Sequence, residues 1–431
     1  MATKNPTRLG RLIVAPQSAS GSTPAYSNPL TAAAVVSAGA TVEAEVFVPN
    51  PSRSVFTRES IKSGFYELAP ISGDQHGQEF SVRFPINGWS STLPTTSPGA
   101  TSTPSSGLFQ AILGGFIAMD PATGPGTVST GADSDTVPYS AGTYKVGSAV
   151  GLVNSSSEYE LAFIKEDSGS ALELLVANSS AFGNAADGSS IYGSATCYTD
   201  PVSTACFSMV WQSYTANSRL LFTSCIPTSV TVSFDPRSAL MAEVTFMTNT
   251  VEDASSGAST LPEFDYSLPI ISPPSGANNA RAVFQNNSSG SAFTDLDCEA
   301  FTMTLTQELA PALAHGATTG VRDMIVQNRT QEVSFSVLYG NKSPFDQTPD
   351  GKPFVDLSNP SDVGAIQLAV GDRPGRMLGV LIPKPIMMAV PETADLNGVF
   401  GASFTLRPGD YQNAGSGSGE AKGTDFRVAF V

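Results

Sequence analysis

The feature that most constrains this chain is that it matches itself. The segment "QEFSVRFPING", Gln78 to Gly88, parallels "QEVSFSVLYGN", Gln331 to Asn341. Each is followed by a long Pro- and Ser-rich stretch, Ser90 to Gly107 in the first case and Lys342 to Asp362 in the second. Farther on, "FSMVWQSYTANSRLLFTSCIPTSVTVSF" (Phe207 to Phe234) parallels "AIQLAVGDRPGRMLGVLIPKPIMMAV" (Ala365 to Val390), with Ile226-Pro227 in the place of Ile382-Pro383. Then "MAEVTFM" (Met241 to Met247) matches "FGASFTL" (Phe400 to Leu406). Four matches in one order point to a duplicated module, and such a repeat limits the folds worth considering.

The module is made of strands. Alternating and β-branched runs recur along the chain: Thr41 to Val48, Glu79 to Phe84, Tyr159 to Ile164, Leu172 to Ala177, Ser229 to Phe234, Ala242 to Met247, Ala300 to Leu305, Glu332 to Tyr339, Ala402 to Arg407 and Phe426 to Val431. Turn signals such as Asp167-Ser168-Gly169, Asp235-Pro236 and Arg373-Pro374-Gly375 separate them. Phe80, Val82 and Phe84 share one face of their strand, as do Val333, Phe335 and Val337, and both stripes are expected in a core. One helix is expected, Leu108 to Gly114, with Ser105 or Ser106 as its cap and Gly114-Gly115 as its stop.

The chain has 431 residues, beyond the size at which a single core usually stops growing, so more than one domain is expected. Residues 1–31 are expected as an extension, 32–269 as the first module, 270–279 as a Pro-stiffened linker and 280–431 as the second module. The first copy is longer because 120–205 is inserted in it, as a small β subdomain. The arm Ser90 to Gly107 cannot bury itself, and it occupies the same place in both copies. With Trp89, Leu93 and three prolines, it is expected to become ordered by lying on a neighbouring subunit.

Charged residues make up 14% of the chain, below the quarter usual for soluble domains, and the formal net charge is -16. No basic run is present, which argues against any role that holds phosphates. The N-terminus lacks the apolar core of a signal peptide, and no segment approaches the ~20 apolar residues that a membrane helix needs. Cytoplasmic synthesis is the expectation. Cys197, Cys206, Cys225 and Cys298 fit neither a zinc pattern nor a disulfide framework and read as buried thiols, a Cys197 to Cys206 bridge being the alternative.

Nothing in the sequence assembles a catalytic constellation. His76 and His315 both stand in turn-like contexts without a partner nucleophile, and no phosphate-binding, dinucleotide or zinc-protease motif occurs. "DLDCE" (Asp295 to Glu299) could join a cation site only with ligands from elsewhere, and Glu166-Asp167 reads as a turn. "NSS" at Asn154, Asn178 and Asn287 matches a glycosylation acceptor but lacks a secretory context. The chain is read as neither an enzyme nor a holder of metal or cofactor.

Taken together, "GQEFSVRFPINGWSS" followed by "LFQAILGGF", then "RLLFTSCIPTSVTVSFDPRSALMAEVTFM", "VRDMIVQNRTQEVSFSV" and the closing "GTDFRVAFV" resemble the tail tube (major tail) proteins of long-tailed bacteriophages. The resemblance covers about four fifths of the chain and leaves out the insert 120–205. It implies all-β, duplicated tail-tube-type β-sandwich modules with a short helix and long arms. Their sheets would join into a ring-shaped β-barrel around a channel, and the rings would stack.

The arms would touch the adjacent subunit or ring, through Trp89, Leu93, Pro94, Pro98, Leu108 and Phe109 in the first copy and Phe345 and Phe354 in the second. Three duplicated chains would supply a pseudo-sixfold ring, six chains being the alternative. The partners implied are further copies of this chain and the terminator, tape measure and distal tail proteins, with no membrane. DNA would pass an acidic lumen without specific binding. The place implied is the virion tail, assembled in the host cytoplasm. A competing reading is a β-sandwich virion surface protein that binds a receptor or glycan through Tyr159, Tyr192, Tyr198 and Trp211.

Overall fold

The computed structural model describes residues 9–20, 23–38, 40–47, 55–56, 71–72, 78–86, 109, 112–119, 126–176, 178, 182–200, 206–213, 219–234, 240–254, 280–285, 292–314, 321–338, 365–371, 373–388, 392–396, 399–412 and 424–431. Among the described residues strands predominate, far above the 20–25% of ordinary globular proteins, and helix is almost absent, so the fold is nearly all-β.

The elements begin with β1 (Leu9–Pro16), a 3-10 turn (Ala25–Ser27), α1 (Ala32–Ala38), β2 (Ala40–Phe47), β3 (Val55–Phe56), β4 (Ile71–Ser72), β5 (Gln78–Pro85) and β6 (Gly114–Ala118). Next come β7 (Thr136–Pro138), β8 (Ala149–Val153), β9 (Tyr159–Asp167), β10 (Ala171–Leu174), β11 (Ala195–Thr199), β12 (Phe207–Ser213), β13 (Arg219–Phe234), β14 (Met241–Thr248) and β15 (Thr250–Asp253). The second half holds β16 (Ala280–Gln285), β17 (Ala292–Leu313), β18 (Val321–Leu338), β19 (Ile366–Gly371), β20 (Met377–Ile382), β21 (Pro385–Met387), β22 (Glu392–Leu396), β23 (Val399–Pro408) and β24 (Arg427–Phe430).

The pairings close on themselves twice, in one order. In the first half β1 pairs with β2, β2 with β5, β5 with β14, β14 with β13, β13 with β12, and β12 with β1. In the second half β16 pairs with β17, β17 with β18 and β18 with β23; β23 then takes β21 and β22 on its other edge, β21 follows β20, and β20 leads through β19 back to β16.

Registers agree as well as order. Phe80, Val82 and Phe84 lie opposite Phe246, Val244 and Ala242; Val333, Phe335 and Val337 lie opposite Leu406, Phe404 and Ala402. The Ser81 hydroxyl is 3.2 Å from that of Thr245, and at the corresponding positions Ser334 is 3.1 Å from Thr405. Even the outer hairpins correspond: Phe56 opposite Ile71 in β3–β4 occupies the place of Pro311 opposite Met324 in β17–β18.

Alternation explains the layering. The inward residues of β5, β13, β14, β17, β18 and β23, among them Phe80, Val82, Val230, Val244, Phe301, Met303, Val333 and Phe404, enter one continuous core that spans both halves. At Ile226-Pro227 the strand β13 changes partners: Arg219 to Cys225 lies beside β12, whereas Ile226 to Ser233 lies beside β14. Proline offers no N–H to a ladder, and a bulge sits between Pro227 and Ser229, so the ladder breaks there. Ile382-Pro383 stands at the same corner, between β20 and β21.

Two features depart from the sequence expectation. Leu9–Pro16, expected in an extension, is a strand inside the first circuit. The helix α1 was not expected; its alanine-rich turn starts at Thr31, whose Oγ1 accepts from the Ala34 N–H at 3.4 Å, and it buries Val35 and Val36 on Ile13, Val210 and Leu221. Of the expected helix, Phe109, Ile112 and Leu113 are helical and buried, and Gly114 opens β6.

Within the expected insert, β8 pairs with β9, and β7 and β10 extend that four-stranded sheet around a separate core that includes Val137, Val150, Leu152, Ile164 and Leu172. The strand β11 instead joins the main sheet between β6 and β24. The insert does not cover the half that carries it in sequence. Its Leu161 and Phe163 pack on Met377, Leu381 and Ala429 of the second half, over β20 and β24, and Gln367 Nε2 donates to the Leu161 carbonyl at 2.6 Å. This is the face that α1 covers in the first half. Only residues 286–291 separate β16 from β17, too few for such a helix, and the insert takes its place.

Candidate functional site

The two circuits are fused edge to edge. Ser229 to Phe234 of β13 pairs antiparallel with Phe301 to Thr306 of β17, so β5, β14, β13, β17, β18 and β23 form one uninterrupted sheet across both halves. Its inner face is the apolar core. The other face is polar, and the strand registers set its composition.

Three rows of side chains cross it. One runs Ser81, Thr245, Ser229, Thr306, Thr330; the next Arg83, Glu243, Thr231, Thr304, Glu332, Arg407; the third Met241, Ser233, Thr302, Ser334, Thr405. Hydroxyls therefore dominate, and they bond to one another: besides the two corresponding Ser–Thr pairs, Ser336 and Ser403 are 3.0 Å apart. Both arginines lie opposite glutamates. Arg407 donates to Glu332 from Nη2 at 2.9 Å and from Nε at 3.0 Å, and Arg83 is the register partner of Glu243. A surface of short hydroxyls with cations already matched by carboxylates offers little for a phosphate chain to hold.

The β17–β18 hairpin extends past this sheet and folds over the first half. Val321 and Met324 pack with Tyr26, Cys206 and Ile226. The Ser27 hydroxyl donates to the Arg322 carbonyl and Gln307 Nε2 to the Pro227 carbonyl, while Arg329 donates to the Leu113 carbonyl at 3.1 Å and to that of Asp200. Burial lowers the pKa of Arg329. The outer side of this hairpin exposes Leu313 (73%) and Ile325 (57%), large apolar side chains of the kind that mark contact surfaces.

Of the expected contact residues, Trp89, Leu93, Pro94, Pro98, Leu108, Phe345 and Phe354 lie outside the described residues, as do His76 and His315. Phe109 is in the core, 1% exposed, its ring 5.6 Å from that of Phe430; it is shielded by its own chain and unavailable to a neighbour. The four aromatics of the glycan-binding reading do not share a surface: Tyr198 and Trp211 are buried, and Tyr159 and Tyr192 stack edge to face at 6.2 Å against the core between insert and second half.

Asn154 is a turn residue, its Oδ1 accepting the N–H groups of Ser156 and Glu158 at 3.0 and 2.9 Å. Cys197, Cys206 and Cys225 are buried thiols outside any disulfide, not a Cys197 to Cys206 bridge; burial pushes all three up, Cys225 to about 12. Among the described residues no three His, Cys, Asp or Glu side chains come together as a metal site, and no helix is long and apolar enough to cross a membrane.

Sequence reasoning missed the hydroxyl face, although its signal was present: Ser and Thr alternate with apolar residues in "SVTVSF", "FTMTLT" and "EVSFSV". Neither a protein-family model nor a curated protein sequence matches this chain.

Proposed function

We propose that this chain is a structural virion protein, a tail tube protein whose copies assemble into stacked rings enclosing a channel for DNA. The carrying observation is the β13–β17 ladder: two circuits of the same order, joined edge to edge, already form one sheet with an apolar and a hydroxyl-lined face. Continuing that operation from chain to chain favours a ring, because a head-to-tail contact either closes or runs on as a filament.

Two copies of the circuit per chain make a trimer the natural ring, with pseudo-sixfold symmetry, and the hydroxyl face would line the lumen. On that reading DNA meets hydroxyls and paired charges, with the acidic excess of the chain acting at longer range, so transit meets little binding friction. The apolar outer side of the β17–β18 hairpin would serve stacking or contact with other tail proteins. The test is negative-stain electron microscopy of the purified protein, with averages viewed down the axis. Stacked hollow rings with threefold modulation are expected; compact particles that stay dispersed at high concentration would overturn the proposal.

A further inference from the structure

The insert is held unevenly on the sheet beneath it. On the side of β6 and β11 its polar groups are matched: the Met119 N–H donates to the Ser194 carbonyl at 2.8 Å, the Ala149 N–H to Thr196 Oγ1 at 3.1 Å, and the Ser194 hydroxyl to the Ala149 carbonyl at 2.6 Å. Ile117 of β6 and Tyr198 of β11 also enter the insert's own core. On the side of β19 and β20 the seat is made differently. Leu161 and Phe163 make apolar contact there, and Gln367 bonds the Leu161 carbonyl through Nε2, while its buried Oε1 has no hydrogen-bond partner.

Opposed residues of a ladder share a face, so Gln367, Leu381 and Arg427 form one row beneath the insert, and Ala429 follows Arg427 on that face. Arg427 is 0% exposed. Its Nε donates to Thr424 Oγ1 at 3.0 Å and its Nη2 to the Thr424 carbonyl at 3.4 Å, but Nη1 has no partner, and among the described residues no carboxylate forms an ion pair with it. The guanidinium lies 5.9 Å from the ring centroid of Tyr411, which packs against the core between insert and second half and feels the charges of Lys165 and Glu173 of the insert. Burial is the largest influence on Arg427 and pushes its pKa down to about 10, so the charges of Tyr411 and Asp425 do not make up for the lost water. An unpaired buried charge and an unpaired buried amide oxygen both weaken the closed arrangement, and water relieves both.

We infer that the insert is a hinged lid: it turns on β6 and β11, its β9 edge lifts from β19 and β20 while both strand circuits stay folded, and Arg427 is the group that keeps the closed seat weak. Matched bonds on one side make the hinge, and unmatched groups on the other make the free edge. Lifting uncovers an apolar strip, Met377, Leu381 and Ala429, with a guanidinium beside it. Local openings of this kind need less free energy than global unfolding.

Thiol labelling of the full chain tests it. Ala429→Cys puts a thiol under the lid, and Ala15→Cys puts one under α1 in the first half; both alanines are 0% exposed. The unsubstituted chain, labelled in parallel, gives the rate of the native thiols. Ala429→Cys is expected to react at least about tenfold faster than Ala15→Cys, at a rate that changes little in low urea because a local opening exposes little surface. Equal rates, or a rate at position 429 that rises with urea as steeply as global unfolding does, would overturn the lid.

Arg427→Met, made in the Ala429→Cys chain, removes the charge and keeps an apolar side chain in its place. Labelling should then slow at least about tenfold, since exchanging poorly compensated buried charge for apolar packing stabilises the closed form. Unchanged or faster labelling would overturn the role of Arg427. The comparison of the two cysteines leaves the arginine in place, so it decides on the lid even where Arg427→Met fails to fold.

Discussion

The two strand circuits keep the same register and the same cross-strand hydroxyl pair, yet each puts its aromatic pair in a different layer. In the first, Phe80 lies opposite Phe246 with ring centroids 5.3 Å apart; in the second, the corresponding positions hold Val333 and Leu406, and the phenylalanines, 335 and 404, pair one layer over at 5.1 Å. Volume lost in one layer is regained in the next. The backbone ladder and the total filled volume are what the fold holds constant, while the identity at each position drifts. Outer faces differ more: a short helix covers the first circuit and a separate four-stranded sheet covers the second.

The sharpest test of the shared core is truncation of one ring in each layer. Phe80→Ala, which also removes the stack on Phe222 at 4.3 Å, and Phe404→Ala should each cost about 3–5 kcal/mol in denaturant unfolding. If one of them cost under about 1 kcal/mol, the halves would not be packed alike.

The two covers can be separated next. A Cβ on Gly379 would stand 2.5 Å from Leu161 Cδ2, a buried side chain of the insert with little room to swing. Gly379→Ala should cost about 1–3 kcal/mol and raise amide exchange in β8 and β9, leaving α1 unaffected.

Alkaline pH distinguishes the covers differently. In the insert, burial raises the phenols of Tyr139, which also donates to Asp167 at 2.8 Å, and of Tyr144 to about 12. Folded phenols that hold their protons above the unfolded value near 10 contribute stability that is present below pH 10 and lost as pH rises through 12. Tyr139→Phe should flatten this loss, read as unfolding midpoint against pH; an unchanged slope would assign the loss to other groups, among them the buried thiols.

The smallest effect is the most diagnostic of equivalence. Ser81→Ala and Ser334→Ala each delete one member of the corresponding hydroxyl pairs, and both should cost about 0.2–1 kcal/mol. Double-mutant cycles with Thr245 and Thr405 should give matching couplings, and a coupling at only one pair would break the correspondence.

Much of this was legible in the sequence because alternation and burial coincide. Glu79 to Phe84, Ala242 to Met247, Ala300 to Leu305 and Ala402 to Arg407 all lie within strands, and the repeat needed only a one-residue shift of the last match, Ala242 aligning with Ala402, to agree with the ladder registers. What was not legible lies where tertiary contact overrides local preference. Leu9–Pro16 has a short apolar run and becomes a strand because β2 and β12 flank it. "QELAPAL" (Gln307 to Leu313) sets a proline among six helix-favouring residues, yet it is the outer part of β17, paired with β18 across two register shifts. The destination of the insert, across the second half, is written in no local pattern; it follows from the shortness of the connection between β16 and β17, residues 286–291, where the first half has residues 17–39 and α1.

The ladder between Ser229–Phe234 and Phe301–Thr306 also sets how the two halves share a load. Force along the strand direction acts on its bonds together, in shear, and must break them at once. Force across the sheet meets them one after another, as a zipper does. Tension along the strands is therefore the direction in which this chain resists longest, and a tensile pull across them is the direction in which it opens.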